Sequence, residues 1–317
     1  MAAHLIFWVI FNVFVLAMLA LDLGIFRSRA PAVEFRKAMI WVAVWFGLAA
    51  VFAVLLHWFG QTMVGGSARP NSQLSLEFIT GYVIELSLSV DNLFVFLLVF
   101  RYFNVPRPLQ HDVLFWGIIG ALVMRGIFIF TGVELLDRFQ WITYLFGAIL
   151  VYSGVRLLRR HGAEVHPESN PLLRVLRKLF RVTPDYEGGR FFVRRGAITY
   201  ATPLALVLIV VETTDVVFAV DSVPAVLAVT REPFIVYTSN VFAILGLRSL
   251  FFVLSGMIEK FHLLHYGLSI ILILIGAKML AANFVEVPTE ITLATVAAIL
   301  LGSVAFSVLF PKRGPAC

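Results

Sequence analysis

Apolar residues run through this chain in long unbroken stretches, and polar residues gather in the short segments between them. The stretches lie near 5–25, 38–59, 76–100, 112–133, 140–158, 198–229, 233–257, 262–281 and 289–310. Each approaches the ~20 residues that an α-helix needs to cross a ~30 Å hydrocarbon layer. None shows the two-residue alternation of a barrel strand. The pattern predicts an all-α membrane protein with about nine transmembrane helices. The sixth stretch is long for one helix and holds Pro203 and Pro224. Part of it is therefore expected as loop or broken helix.

Composition agrees with this pattern. Of the 317 residues, 60% are hydrophobic and 14% charged, with a mean hydropathy of +0.93. A soluble protein of this size could not cover so much apolar surface. The single cysteine, Cys317, allows neither an intrachain disulfide nor a thiolate cluster, so a metal site would use oxygen, with histidine at most. The start, Met1-Ala2-Ala3-His4, carries no Lys or Arg, so the first stretch is expected as a retained helix and not a cleaved signal.

The basic residues set the orientation. With the N-terminus outside, 19 of the 25 Lys and Arg fall on the inner side, and only Arg69, Arg138 and Arg231 on the outer. That bias predicts a multi-pass membrane protein, N-terminus outside and C-terminus cytoplasmic. The longest hydrophilic segment, 159–196, is expected as a solvated loop touching anionic head groups. It carries no nucleic-acid-binding motif, so no nucleic-acid partner is expected.

The two halves of the chain match. Glu85, Asp91 and Asn92 fall on Asp215, Asp221 and Ser222 when 130 is added to each number. Phe139, Tyr144, Gly154 and Arg156 fall on Phe261, Tyr266, Gly276 and Lys278 at an offset of 122, and Arg125 pairs with Arg248 within one residue of that offset. The predicted organisation is a two-helix segment (1–75), a three-helix repeat (76–158), the basic loop (159–196), a second repeat (197–281) and a final helix with its tail (282–317). Three helices per repeat place the second upside down relative to the first. In such architectures the substrate site lies near mid-membrane, where the repeats meet.

Those matched positions are acidic. Asp22, Glu85, Asp91, Glu212, Asp215 and Asp221 at ~3 kcal/mol each would cost roughly 18 kcal/mol if bare at the bilayer centre. Arg125, Arg248 and Lys278 are too few to neutralise them all, although pairing of the two arginines with some acids is expected. The surplus negative charge suits a cation site made of Glu85, Asp91, Asn92, Glu212, Asp215, Asp221 and Ser222. Asp22, Thr214, Arg125 and Arg248 are accessory candidates. Glu85 and Asp91 lie about 120° apart on a straight helix, so aiming all the groups at one point requires local unwinding. Carboxylate, amide and hydroxyl oxygens suit Mg, Ca or Mn, and protons would compete for close carboxylates. No phosphate loop, dinucleotide fingerprint or nucleophile with its base is present, so an enzyme is not expected.

At these residues the chain resembles the TerC family of integral membrane proteins, and within it the Alx-type bacterial branch. The resemblance begins at Leu21-Asp22-Leu23-Gly24-Ile25-Phe26 and continues through Phe78–Asn92 and Val211–Ala225. It implies secondary export of Mn²⁺ as a transported ion, with no permanently bound cofactor. The family name derives from tellurium resistance, but an acidic cavity would repel the tellurite anion. The alternative expectation is a membrane assembly or stress-response partner whose acids are structural. A metalloenzyme would need a zinc-binding His motif, which is missing.

Overall fold

The apolar stretches fold as nine helices among the described residues, which are 2–26, 35–159, 173, 178, 181–196, 198–255, 263–285 and 287–309 of a computed structural model. In chain order they are α1 (Ala2–Phe26), α2 (Phe35–Met63), α3 (Asn71–Tyr102), α4 (Arg107–Arg138), α5 (Ile142–Arg159), α6 (Pro203–Leu227), α7 (Pro233–Ser255), α8 (Leu264–Leu280) and α9 (Thr289–Leu309). Seven are long and apolar enough to cross a membrane, and the apolar parts of α1 and α8 are shorter. The all-α membrane fold expected from the pattern is the one found.

Helices α3 and α6 form the centre. Leu93 and Phe100 of α3 pack with Val207 and Val211 of α6, and Ile84 and Leu88 with Val223 and Val226. Around them stand α4, α5, α7 and α8. Helices α1 and α2 lean on α3 and α7 through an aromatic cluster, in which Phe52 lies 5.0 Å from Phe78 and 5.1 Å from Phe242 between ring centroids. The outward faces carry exposed apolar side chains such as Leu16, Trp58, Phe130 and Leu301. In hydrocarbon these cost nothing, because lipid is as apolar as leucine.

Two expectations are corrected. Residues 198–201 of the sixth stretch are not helical. They form strand β3 (Ile198–Ala201) of a small sheet with β1 (Arg181–Val182) and β2 (Phe192–Arg195). The strand order is β1-β3-β2, with β1 parallel and β2 antiparallel to β3. Gly196, at φ 63°, makes the tight β2–β3 connection, a backbone conformation that glycine adopts without a Cβ penalty. Part of the basic segment is thus an ordered sheet, with most of its strand residues exposed. Thr202 donates to the Arg190 carbonyl at 2.7 Å, and the Tyr186 hydroxyl donates to the Phe103 carbonyl at 2.7 Å, tying the sheet to α6 and to the α3–α4 turn. Arg160, His161, Arg174 and Arg177 lie outside the described residues.

The second correction concerns unwinding. Both α3 and α6 are continuous helices through their acidic stretches. Pro203 occupies the start of α6, where the missing N–H is no loss. Pro224 sits in the last turn, and the Ala228 N–H closes on its carbonyl at 2.9 Å. The hydroxyls of Ser87, Thr213 and Thr214 also stay on their own helices, donating to Val83, Ile209 and Val210 at 2.5, 2.5 and 2.6 Å. Such back-bonding satisfies a hydroxyl within a helix without opening it.

Candidate ion site

Because the helices stay regular, the acids of α3 and α6 point two ways, as the 120° separation on a cylinder requires. One set faces α4. Arg125 of α4 forms an ion pair with Glu85, reaches Asp215 with N–O 3.7 Å, and donates to the Asn240 Oδ1 of α7 at 3.1 Å. Ser89 donates to Glu85 at 3.0 Å. Arg125 is only 1% exposed, Glu85 0% and Asp215 5%, so this is a buried ionic cluster with two carboxylates on one guanidinium. The expected pairing of this arginine with acids is realised here. Glu85 Oε2 and Asp215 Oδ2 have no hydrogen-bond partner among the described residues.

Glu212 also looks toward α4. Its carboxylate lies where a side chain at Gly120 would have to stand, so glycine at 120 makes room for it. Three residues before Asp215 on α6, Glu212 shares one face of the helix with that acid.

The other set faces α5 and α8. Asp91 and Asn92 of α3 and Asp221 and Ser222 of α6 line one cavity of about 150 Å³. Ser153 of α5 donates to Asp221 Oδ1 at 2.6 Å. Arg156 lines the same cavity from the end of α5. Asn92 Nδ2 and Ser222 Oγ are buried without a hydrogen-bond partner among the described residues. An engineered void of about 150 Å³ holds a benzene molecule, so this one has room for a cation with several waters.

The candidate residues therefore separate. Asp91, Asn92, Asp221 and Ser222 meet at the cavity, whereas Glu85 and Asp215 meet at Arg125 and Glu212 stands beside them. Thr214 is committed to its own helix as a donor. Arg248 is 1% exposed on α7 and lies near His111. Asp22 belongs to α1, with its side chain outside the described residues. Among the described residues, no three or more His, Cys, Asp or Glu side chains gather as a metal cage. The oxygen set at the cavity is two carboxylates, one amide and hydroxyls. That is a small protein share for a hard cation, which would keep part of its water shell. Ser153 and Asn240 were missed by sequence reading. A lone amide within an apolar helix is a usable signal for Asn240; a single serine in α5 carries none.

The fold and the cavity define a polytopic helical membrane protein with carboxylates from two central helices facing one another inside the bundle. The profile of the "Integral membrane protein TerC family" matches residues 71–314, and the chain belongs to that family. It is 46% identical over 309 residues to an uncharacterized membrane protein of Myxococcus xanthus, covering 97% of this chain and 93% of the relative. It is 47% identical over 295 residues to Alx of Escherichia coli strain K12, covering 93% and 91%, and 45% identical over 306 residues to Alx of Photorhabdus laumondii, covering 96% and 95%. The names of the last two describe a proposed membrane-bound redox modulator. No solved structure matches the chain.

Proposed function

We propose that the protein is a secondary transporter that exports a divalent cation, Mn²⁺ in the first place, through the Asp91–Asp221 cavity, with protons as the exchanged ion. The observation that carries the reading is the meeting of Asp91, Asn92, Asp221 and Ser222 at one hollow inside an apolar bundle. Carboxylates cost free energy in such a place, and a cation offsets that cost. All-oxygen ligands favour Mn, Mg or Ca over copper or zinc. Glu85 and Asp215 are compensated by Arg125, which leaves Asp91 and Asp221 as the core ligands and Asn92 and Ser222 as their helpers.

The distribution of basic residues supports an orientation with the N-terminus outside and the C-terminus in the cytoplasm, within the bacterial inner membrane. The same bias puts the sheet of 181–201 on the cytoplasmic side. A redox effect of the kind named for the relatives would come through the metal moved, since a chain with one cysteine has no dithiol of its own.

The test is manganese flux in sealed vesicles holding the purified protein. Asp91→Asn and Asp221→Asn are expected to reduce flux at least tenfold while the variants remain folded. Undiminished flux in both removes the site. A partner-docking role is the second reading, favoured by the ordered sheet with its exposed Arg194 and Arg195. It predicts the reverse: activity lost on replacing 159–196 and kept in the two asparagine variants.

A further inference from the structure

Helices α5 and α8 touch backbone to backbone. A Cβ at Gly154 would stand 2.8 Å from the Ser269 carbonyl oxygen, and one at Gly276 would stand 2.7 Å from the Gly147 carbonyl oxygen. Adding 122 turns Gly147 into Ser269 and Gly154 into Gly276, so each contact is the image of the other. As numbers rise on α5 they fall on α8, which makes the pair antiparallel. A twofold axis therefore passes between 150 and 151 on α5 and between 272 and 273 on α8. Most residues of the α3 and α6 walls follow such a pairing, at an offset of 130: Leu88 with Phe218, Asp91 with Asp221 and Asn92 with Ser222 all line the cavity, and Val217 lines it without its counterpart Ser87.

The remaining walls do not. Ser153, Arg156 and Leu157 lie past the axis toward the end of α5, and Leu268 and Leu272 lie before it toward the start of α8. All five sit on one side, so the cavity leans toward the face where α5 ends and α8 begins. Their images on the other side are Ile275, Lys278, Met279, Phe146 and Leu150. There Leu150 and Ile275 are buried, and Phe146 packs on the same core. That half of the path is filled. Beyond it, Lys278 and Met279 line a second cavity of about 390 Å³ together with Arg69, Glu77 and Arg231.

From this asymmetry we infer that Arg156 and Lys278 are paired positioning charges, one for each mouth of the ion path. Lys278 takes the place beside the carboxylates when the Phe146–Leu150–Ile275 layer opens. The inference rests on the transport reading. Each cation lies 5.5 residues from the axis, or ~8 Å along its helix. Arg156 now shares the cavity with Asp221. Lys278 is parked, with Nζ donating to Thr292 at 2.9 Å. A tethered cation at the open mouth steadies the empty carboxylate pair and yields to an arriving metal ion. Long, flexible basic side chains can swing in this way.

The test uses the full chain with Cys317→Ser, carrying Ile275→Cys or Ser153→Cys, in vesicles of known sidedness without metal. A membrane-impermeant maleimide is applied to either face, and labelling is scaled to the labelling of denatured protein. Ser153→Cys is expected to react from the α5-end face, and Ile275→Cys from the opposite face at a lower level. Adding Lys278→Gln is expected to cut labelling at 275 about fivefold or more, Arg156→Gln to raise it by a similar factor, and Lys278→Arg to restore it, the low end of ordinary site-to-site coupling. A folded protein in which position 275 never reacts, or in which Lys278→Gln changes nothing, overturns the inference. Labelling needs no ion, so alternation without manganese flux would sink the transport reading alone.

Discussion

Replacing Arg125 with methionine removes the guanidinium that touches both Glu85 and Asp215. Methionine fills similar volume, so the perturbation is electrostatic and not a cavity. Both carboxylates are then stranded, at 0% and 5% exposure. Breaking a buried ion pair from one side costs ~3–5 kcal/mol, and two stranded acids put this case at the upper end. At about 2 °C per kcal/mol for a chain larger than 150 residues, the melting temperature should fall by roughly 6–10 °C. The assay is thermal unfolding of the detergent-purified protein, followed by loss of the monodisperse peak. Adding Glu85→Gln should recover about half of the loss, because one of the two stranded charges is gone. The cycle isolates a coupling of ~0.5–3 kcal/mol between contacting residues. A neutral single variant, or strictly additive effects in the double, would refute the claim that these groups compensate one another.

Further outcomes are expected. Ser153→Ala removes the donor that orients Asp221 and should weaken apparent manganese affinity about tenfold or more with little effect on maximal flux, read from concentration-dependent vesicle uptake. Gly276→Ala places a methyl against the Gly147 carbonyl and should cost ~1–3 kcal/mol through separation of α5 from α8, seen as lowered thermal stability. Tyr186→Phe deletes one hydrogen bond to Phe103 and should cost only ~0.5–1.5 kcal/mol, with faster proteolysis of the 181–201 sheet as the more sensitive measure.

Much of the architecture was legible because a bilayer demands long apolar runs and allows few other spanning structures. The acidic pairs stood out for the same reason: Asp91 and Asp221 are costly where they lie. What the chain did not reveal was the direction in which each acid points. That depends on which neighbour packs on which face of α3 and α6, and so Glu85 and Asp215 turned to Arg125 while Asp91 and Asp221 turned to the cavity that Ser153 lines. The strand at 198–201 was hidden because Ile-Thr-Tyr-Ala reads as the start of an apolar run. Only the Thr202-Pro203 step marked the true helix start, through proline's preference for the first turn. The Arg69–Glu77 pair at 2.9 Å, with Thr230 beside it, was overlooked because its members come from the ends of separate elements.

At the closest points of the seam between the fifth and eighth helices, glycine backbone meets both carbonyl oxygen and the branched side chains of Val151 and Ile273. Surfaces meshed by leucines must lift rotamers out of their sockets before they can shift. Here Val151 and Ile273 sit in the notches that Gly276 and Gly154 leave open, and their stiff branched rotamers set the register of the two helices. A joint of that kind limits how far the two backbones can slide before a branched side chain has to leave its notch.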